Sequence, residues 1–225
     1  MNLNNIELIT FDCYGTLIDW EGGITNAFQT TAARDGIRLS TDDIVTAYML
    51  EEPIVETESY RSYREVLTET ARRVAARLGW QLNPSHADFL VASMGDWIPF
   101  SDTNAALERL AKRFQLGILS NVDDDLLAAT RRHFTVNFDL IVTAAQVKSY
   151  KPGHAHFQEA ITRRGGKQGL LHAAQSHFHD VVPATTLGIP VVWVNRKNEP
   201  LPSGGPRPTY QVHNLAGLAE LMLNN

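Results

Sequence analysis

A short apolar segment near the start of the chain ends abruptly in a carboxylate, and this feature constrains the fold more than any other. Residues 9–17 read Ile-Thr-Phe-Asp-Cys-Tyr-Gly-Thr-Leu. The apolar run is typical of a buried strand, and the glycine that follows predicts a tight turn. Open α/β sheets carry their chemistry at the carboxyl ends of the strands, where Asp12 is then expected. A carboxylate at that edge can serve as a nucleophile because it is already ionised at neutral pH.

Four more short apolar runs follow later in the chain, and helix-like segments separate nearly all of them. They occupy residues 116–119, 138–142, 169–173 and 190–194. Strands that alternate with helices predict a parallel sheet covered on both faces. The sequence therefore predicts an α/β protein with a Rossmann-like core.

The segment from residue 20 to residue 95 interrupts this alternation. Its apolar spacing is helical: Thr41 has the character of a helix N-cap, and residues 60–79 predict one long helix. We therefore predict a core domain formed by residues 1–19 and 96–225, with a helical domain of residues 20–95 inserted after the first strand.

The nine residues around the first carboxylate resemble the first motif of the haloacid dehalogenase superfamily, in which the aspartate is the nucleophile. Phosphatases of that superfamily carry a second aspartate two residues later, which serves the leaving alcohol as acid and base. Tyr14 occupies that position here, which is similar to the L-2-haloacid dehalogenase branch. A halide leaves without needing a proton. The resemblance thus favours carbon–halogen cleavage, and it implies that the helical segment is a cap that selects substrate and excludes water.

The remaining motifs of the superfamily appear in order, so the resemblance extends over essentially the whole chain. Ser120 and Asn121 follow the second predicted strand, and the resemblance implies that they donate hydrogen bonds to the substrate. Lys151 matches the lysine beside the nucleophile, which it would keep ionised. Asp180 matches the aspartate that activates the hydrolytic water. Asp12, Lys151 and Asp180 are the predicted catalytic residues.

Five further residues are predicted to line the substrate site on the same resemblance. They are Tyr14, Thr16, Gln175, Ser176 and His177. Thr16 would orient the carboxylates by hydrogen bonds, and Gln175 and His177 replace a Ser/Asn pair of the family pattern. The sequence departs from the pattern elsewhere as well. Met49 aligns with a cap arginine that grips halide and substrate, Phe157 replaces a tyrosine, and Arg61 or Arg64 is the candidate substitute for the arginine.

The histidines after residue 153 admit two interpretations. His172, His177 and His179 could bind a transition metal together with Asp180. The spacing does not match a metal motif, and the alternative that they are site-lining or structural residues is favoured. His154 and His156 are predicted to lie on the surface. The resemblance implies neither a metal nor another cofactor.

Composition narrows the class of partners. The 225 residues carry a net charge of −5 with scattered charges, which does not indicate a nucleic-acid partner. The single cysteine, Cys13, excludes an intrachain disulfide and suits a reducing cytosol. The sequence shows no signal-peptide pattern and no run near the roughly 18 apolar residues of a membrane helix. We therefore expect a cytoplasmic protein with a small-molecule carboxylate substrate and no membrane partner; homodimers are common in the family.

Three functions follow from these observations. The first is a cofactor-independent 2-haloacid dehalogenase, in which Asp12 displaces halide and the aspartyl ester is hydrolysed to a 2-hydroxy acid of inverted configuration. The second is a Mg²⁺-dependent phosphatase acting on a small phosphomonoester, against which Tyr14 and the lone Asp180 argue. The third is a non-catalytic protein of the same fold that binds a carboxylate.

Overall fold

The computed structural model describes residues 3–224, and a parallel sheet forms its centre. The strand order is β3-β2-β1-β4-β5-β6, and every neighbouring pair is parallel. The strands are β1 (Leu8–Phe11), β2 (Gln115–Ser120), β3 (Leu140–Thr143), β4 (Leu170–Ala174), β5 (Val191–Val194) and β6 (Tyr210–Val212). The predicted α/β class and Rossmann-like core are confirmed.

Five strands coincide with the predicted apolar runs, and the sixth was not predicted. All four residues of β1 are buried, as a strand with a neighbour on each side requires. β6 has three residues, none of them fully buried, and pairs with β5 alone. A short strand at the sheet edge carries too little apolar periodicity to be recognised in a sequence.

Helices connect the strands and form the inserted segment. They are α1 (Trp20–Arg34), α2 (Thr41–Thr57), α3 (Tyr63–Arg77), α4 (Phe89–Ser93), α5 (Thr103–Leu110), α6 (Asp124–Arg131), α7 (Ala144–Val147), α8 (Ala155–Arg164), α9 (Val182–Thr186) and α10 (Leu215–Leu223). A turn of π-helix, His177–Val181, precedes α9. Within residues 3–224, none of the helices is long and apolar enough to cross a membrane.

Serine side chains set the starts of two helices in the inserted segment. Ser40 accepts a hydrogen bond from the N–H of Asp43 and caps α2, so Thr41 is the first helical residue and not the cap. Ser62 and Glu65 form a capping box at the start of α3. The predicted helix over residues 60–79 is therefore shorter, because the capping box fixes its beginning at Tyr63.

The chain divides into two compact units. The core unit contains the sheet, and the helical unit consists of Asp19–Ile98 together with Val122–Arg132. The predicted boundaries place that second segment in the core. The contacts explain the difference: the Asp123 carboxylate accepts the backbone N–H groups of Tyr63 (3.0 Å) and Arg64 (2.9 Å) at the start of α3.

Candidate active site

The central strand delivers Asp12 to the carboxyl edge of the sheet. β1 lies between β2 and β4, and Asp12 follows its last residue, with its N–H bonded to the carbonyl of Ala173 at 3.2 Å. Its side chain is almost fully buried. The backbone turns back immediately because Gly15 adopts a φ of 97°, which glycine tolerates best. A buried carboxylate thus lies at the sheet edge where open α/β folds bind ligands.

A chain of hydrogen bonds holds the loop that follows Asp12. The Thr16 hydroxyl donates to Oδ2 of Asp12 at 2.9 Å and accepts from the backbone N–H of Gln175 at 2.9 Å. The Thr16 carbonyl accepts from the guanidinium of Arg196 at 2.9 and 3.2 Å. Arg196 is paired in turn with Asp102 at 3.0 Å. Thr16 therefore orients the carboxylate of Asp12, and Gln175 and Arg196 hold Thr16 in place.

Lys151 joins the two predicted catalytic carboxylates. Its ammonium donates to Oδ1 of Asp12 at 2.9 Å, to Oδ1 of Asp180 at 2.6 Å and to the carbonyl of Leu119 at 2.9 Å. These bonds use all three of its hydrogens, and the side chain is about 1% exposed. We call Asp12, Lys151 and Asp180 the charged centre.

Asn121 fixes the backbone of that lysine. Its side-chain oxygen accepts the N–H of Lys151 at 2.7 Å, and its side-chain nitrogen donates to the Lys151 carbonyl at 3.0 Å. One hydrogen of this amide therefore remains beyond these two bonds. Asn121, which is predicted to donate a hydrogen bond to the substrate, therefore also positions the backbone of Lys151.

Burial and charge act in opposite directions on the charged centre. Burial raises the pKa of Asp12 above its usual value, although Lys151 and Thr16 oppose the rise. Burial would also raise the pKa of Asp180, but Lys151 and the hydrogen bond from His172 outweigh it and lower that pKa well below its usual range. Burial would lower the pKa of Lys151, and the two carboxylates instead raise it. Asp180 and Lys151 are therefore a permanent ion pair at neutral pH.

His172 joins this network from within β4. The ring is completely buried, with Nδ1 2.9 Å from the Thr10 hydroxyl and Nε2 3.0 Å from Oδ1 of Asp180. The sequence motifs do not indicate this position for His172. The signal that could have identified its place is a histidine inside an otherwise apolar strand, eight residues before an aspartate.

The prediction that His156 lies on the surface is wrong. Its side chain is completely buried, and Nε2 lies 3.1 Å from the carbonyl of Ser120. Burial lowers the pKa of this imidazole to about 3, and the nearby Lys151 ammonium adds to the effect. The residue faces inward because α8 packs against the sheet with Phe157 and Ala160. His154 is half-buried.

Two buried oxygen atoms of the site have no hydrogen-bond partner within residues 3–224. They are Oγ of Ser120 and Oδ2 of Asp180. Buried polar groups are ordinarily satisfied, and each such atom calls for an explanation. Here both belong to predicted site residues, so a substrate group and a water are the natural partners.

The predicted substrate-binding residues after β4 make hydrogen bonds within the protein. Gln175 bonds to Thr16 and to the indole of Trp193 through its backbone, and Ser176 caps the π-turn by accepting the N–H of His179 at 3.0 Å. Nε2 of His177 donates to the carbonyl of Pro206 at 2.9 Å. Tyr14 is half-buried. The ring of His177 is therefore committed to the late loop.

No group of three or more His, Cys, Asp or Glu side chains in residues 3–224 is placed to hold a metal ion. The interpretation of the histidines as metal ligands has no geometric support in this part of the chain. His179 pairs with Ser176, and His172 bridges Thr10 and Asp180.

The helical unit contains the positions considered for the missing arginine. Met49 is 57% exposed on α2. Arg61 pairs with Glu58 at 2.5 Å, and Arg64 pairs with Asp125. Both guanidinium groups thus have acidic partners inside the helical unit.

The chain is similar to known proteins over nearly its full length. A (S)-2-haloacid dehalogenase of Pseudomonas putida is 25% identical over 99% of both chains, and a second one, named H-109, from the same species is 26% identical over 97% of this chain. The structure of an L-2-haloacid dehalogenase from Xanthobacter autotrophicus with chloropropionic acid covalently bound matches with a TM-score of 0.83. That match has 20% identity and covers 97% of this chain and 98% of the other.

The family itself is established by a match to a protein-family model. Residues 6–170, which include β1, the whole inserted segment and Lys151, match the model of the haloacid dehalogenase-like hydrolases. This span is well over half of the sequence. The chain belongs to the haloacid dehalogenase-like hydrolase family.

Proposed function

We propose that the protein hydrolyses small 2-haloalkanoic acids to 2-hydroxy acids through an aspartyl ester on Asp12. The observation that carries this proposal is the ammonium of Lys151, which bridges Asp12 and Asp180 in a buried site. The names of the full-length relatives, (S)-2-haloacid dehalogenases, support the same reaction. Lys151 and Asp180 are then placed to assist the water that hydrolyses the ester on Asp12.

In the first step a carboxylate oxygen of Asp12 attacks C2 of the substrate. A carbon–oxygen bond forms, the carbon–halogen bond breaks, and the halide leaves with its electron pair, which inverts the configuration at C2. No proton is needed, so Tyr14 can occupy the position of a second acid. Thr16 and Lys151 each hold one oxygen of the nucleophile and thereby fix the direction of attack.

In the second step water attacks the carbonyl carbon of the Asp12 ester. Oδ2 of Asp180 is buried and unpartnered within residues 3–224, so it is the acceptor available for the proton of that water. Lys151 points at Oδ1 of Asp12 and can stabilise the negative charge that develops there. The tetrahedral intermediate then breaks its bond to the substrate oxygen, which takes the remaining hydrogen of the attacking water and leaves as the 2-hydroxy acid. The carboxylate of Asp12 is restored, and the proton accepted by Asp180 passes to solvent.

We further propose that Ser120 and Asn121 bind the substrate carboxylate and that residues 20–95 act as the cap. Oγ of Ser120 is a buried donor without a partner in the described part of the chain, and the amide of Asn121 retains a hydrogen. The contributions of Tyr14, Gln175, Ser176 and His177 to substrate binding stay predictions, as do a homodimer and a cytoplasmic location.

The phosphatase alternative fits the site poorly. A Mg²⁺ ion prefers several oxygen ligands at about 2.0–2.1 Å. Between Asp12 and Asp180 the space is taken by an ammonium group, which would repel a divalent cation.

The test is halide release from 2-chloro-, 2-bromo- and 2-fluoropropanoate with and without chelator. We expect chelator-insensitive release by the native chain and at least about a thousandfold loss in Asp12→Asn, which keeps the shape and removes the nucleophile. Asp180→Asn should release halide once and retain the ester, visible as an added mass on the intact protein. Equal release by Asp12→Asn, or phosphate release that requires Mg²⁺ with no halide release, would contradict the proposal.

A further inference from the structure

We propose that His172 is a positioning residue for the second step: it holds Asp180 so that the free oxygen of this carboxylate receives the hydrolytic water. The proposal rests on the function proposed above and concerns a residue to which that mechanism gave no role. It separates the two steps, because His172 touches Asp180 and makes no hydrogen bond to Asp12.

The ring of His172 is fixed on three sides. Nδ1 lies 2.9 Å from the hydroxyl of Thr10, and Nε2 lies 3.0 Å from Oδ1 of Asp180. The edge of the ring meets Phe157, with ring centroids 5.0 Å apart and planes at 83°. Thr10 and His172 are register partners on β1 and β4, so the sheet itself sets the distance between them. The histidine is thus a rigid support for Asp180.

The two oxygens of Asp180 have different surroundings. Oδ1 accepts from Lys151 at 2.6 Å and from His172 at 3.0 Å, whereas Oδ2 is buried and has no hydrogen-bond partner within residues 3–224. Two donors in different directions prevent rotation of the carboxylate. With Lys151 alone, Asp180 could exchange its oxygens and lose the lone pair aimed at the water. The hydrogen bond from His172 therefore fixes the orientation of the Asp180 carboxylate.

The neighbouring threonine sets the tautomer that this support needs. Asp180 is ionised, so Nε2 must carry the hydrogen that it donates. With the hydrogen on Nε2, Nδ1 can accept from the Thr10 hydroxyl, which lies 2.9 Å from Nδ1 and 3.3 Å from the carbonyl of Leu171, the longer of its two acceptor contacts. Without that hydroxyl the imidazole can carry its hydrogen on Nδ1 and turn a lone pair toward Asp180. Thr10 thus acts on Asp180 through His172.

A matched pair of variants tests the proposal. His172→Met and His172→Gln place side chains of similar length in the same space, and only glutamine offers a donor near the position of Nε2. With (S)-2-chloropropanoate we expect His172→Met to release its first halide within about twofold of the native rate. Its ester hydrolysis should slow by at least about tenfold, which is less than the loss of the whole general base because Asp180 is still present. The intact protein should then accumulate the mass of the ester, and His172→Gln should restore at least a third of the lost rate.

Thr10→Val provides an independent variant that leaves the ring in place. We expect it to slow ester hydrolysis in the same direction while the first halide release stays within about twofold. Equal slowing of both steps in His172→Met and His172→Gln would show a merely structural role and overturn the proposal. So would unchanged ester hydrolysis in His172→Met. Absence of any ester on Asp180→Asn, with no halide release by the native chain, would instead overturn the proposed function and this inference with it.

Discussion

Each of the two units buries acidic groups, and they do so in opposite ways. In the core unit, Asp180 lies against the ammonium of Lys151, and its pKa is far below the usual range despite complete burial. In the helical unit, the half-buried Glu52 accepts from the hydroxyl of Tyr63 at 3.1 Å, and burial raises its pKa to about 7. The comparison teaches that the partner decides whether a buried carboxylate keeps its charge.

The tyrosines of the helical unit extend the contrast. The hydroxyl groups of Tyr48 and Tyr63 lie 3.4 Å apart, and burial together with the nearby Glu52 raises the pKa of both. Tyr48, Tyr63 and Glu52 therefore all favour their neutral, protonated forms. In the charged centre, by contrast, the Lys151 ammonium bonds to both carboxylates and opposes the rise in the pKa of Asp12 that burial causes.

The largest effect should come from removing the cation of the charged centre. Lys151→Met leaves two buried carboxylates without their partner, and such a loss typically costs about 3–5 kcal/mol. Arg132→Met is the control, because it breaks an ion pair with Asp96 in which both side chains are more than half exposed; its cost should be about 1 kcal/mol or less. Urea unfolding at pH 7 measures both. Equal losses of stability in the two variants would contradict the special role of the buried cation. Adding Asp180→Asn to Lys151→Met should recover part of the stability, because it removes one of the two unpaired carboxylates.

A smaller effect on stability is expected from His156, the buried imidazole beside Ser120. His156 has a pKa of about 3 in the folded protein and an ordinary value of 6.5. The unfolded chain therefore binds the proton more readily between these values, so stability falls as pH drops below 6.5. His156→Phe removes this titration. Its stability deficit at pH 7 should shrink by about 2 kcal/mol at pH 5, given 1.4 kcal/mol per pH unit.

The control for this measurement is a histidine on the surface. His213 is exposed, so the difference between the native chain and His213→Phe should stay constant between pH 7 and pH 5. A constant difference for His156→Phe as well would show that its burial does not suppress the protonated form.

The smallest effect concerns Glu52. Its pKa is raised from 4.5 to about 7, so the folded protein holds the proton in this window and loses stability as pH rises through 7. Glu52→Gln cannot lose a proton. Between pH 5.5 and pH 8 the native chain should lose about 1 kcal/mol relative to this variant, since the group is only half-buried. Thermal unfolding at both pH values tests this, with Glu220→Gln on the exposed face of α10 as control; an unchanged difference would contradict it.

The sequence predicts best those parts in which one residue pattern has one physical meaning. Compact apolar runs predicted β1 to β5, because a buried parallel strand has few alternatives in a chain of this composition. The edge strand β6 and the assignment of Val122–Arg132 to the helical unit depend on contacts between distant residues. A carboxylate such as Asp123 could cap its own helix, and only the structure reveals that it binds the start of α3.

Histidines illustrate the same limit within the site. A motif order places Asp12, Lys151 and Asp180, and the structure brings these three side chains together. Histidine has several roles in proteins, and its ring can be metal ligand, base, surface group or buried spacer. The inward orientation of His156 depends on how α8 rotates on the sheet. The bridge made by His172 depends on the register of β1 and β4.

The ammonium of Lys151 donates all three of its hydrogens inside the protein, and this has a chemical consequence. An ammonium group has no lone pair, and its raised pKa keeps it in that form. Acylating and carbamylating reagents, which attack ordinary lysines through the free amine, would meet an unreactive group here. In the folded protein, covalent inactivation at the charged centre would therefore have to come from electrophiles that react with a carboxylate, that of Asp12 or that of Asp180.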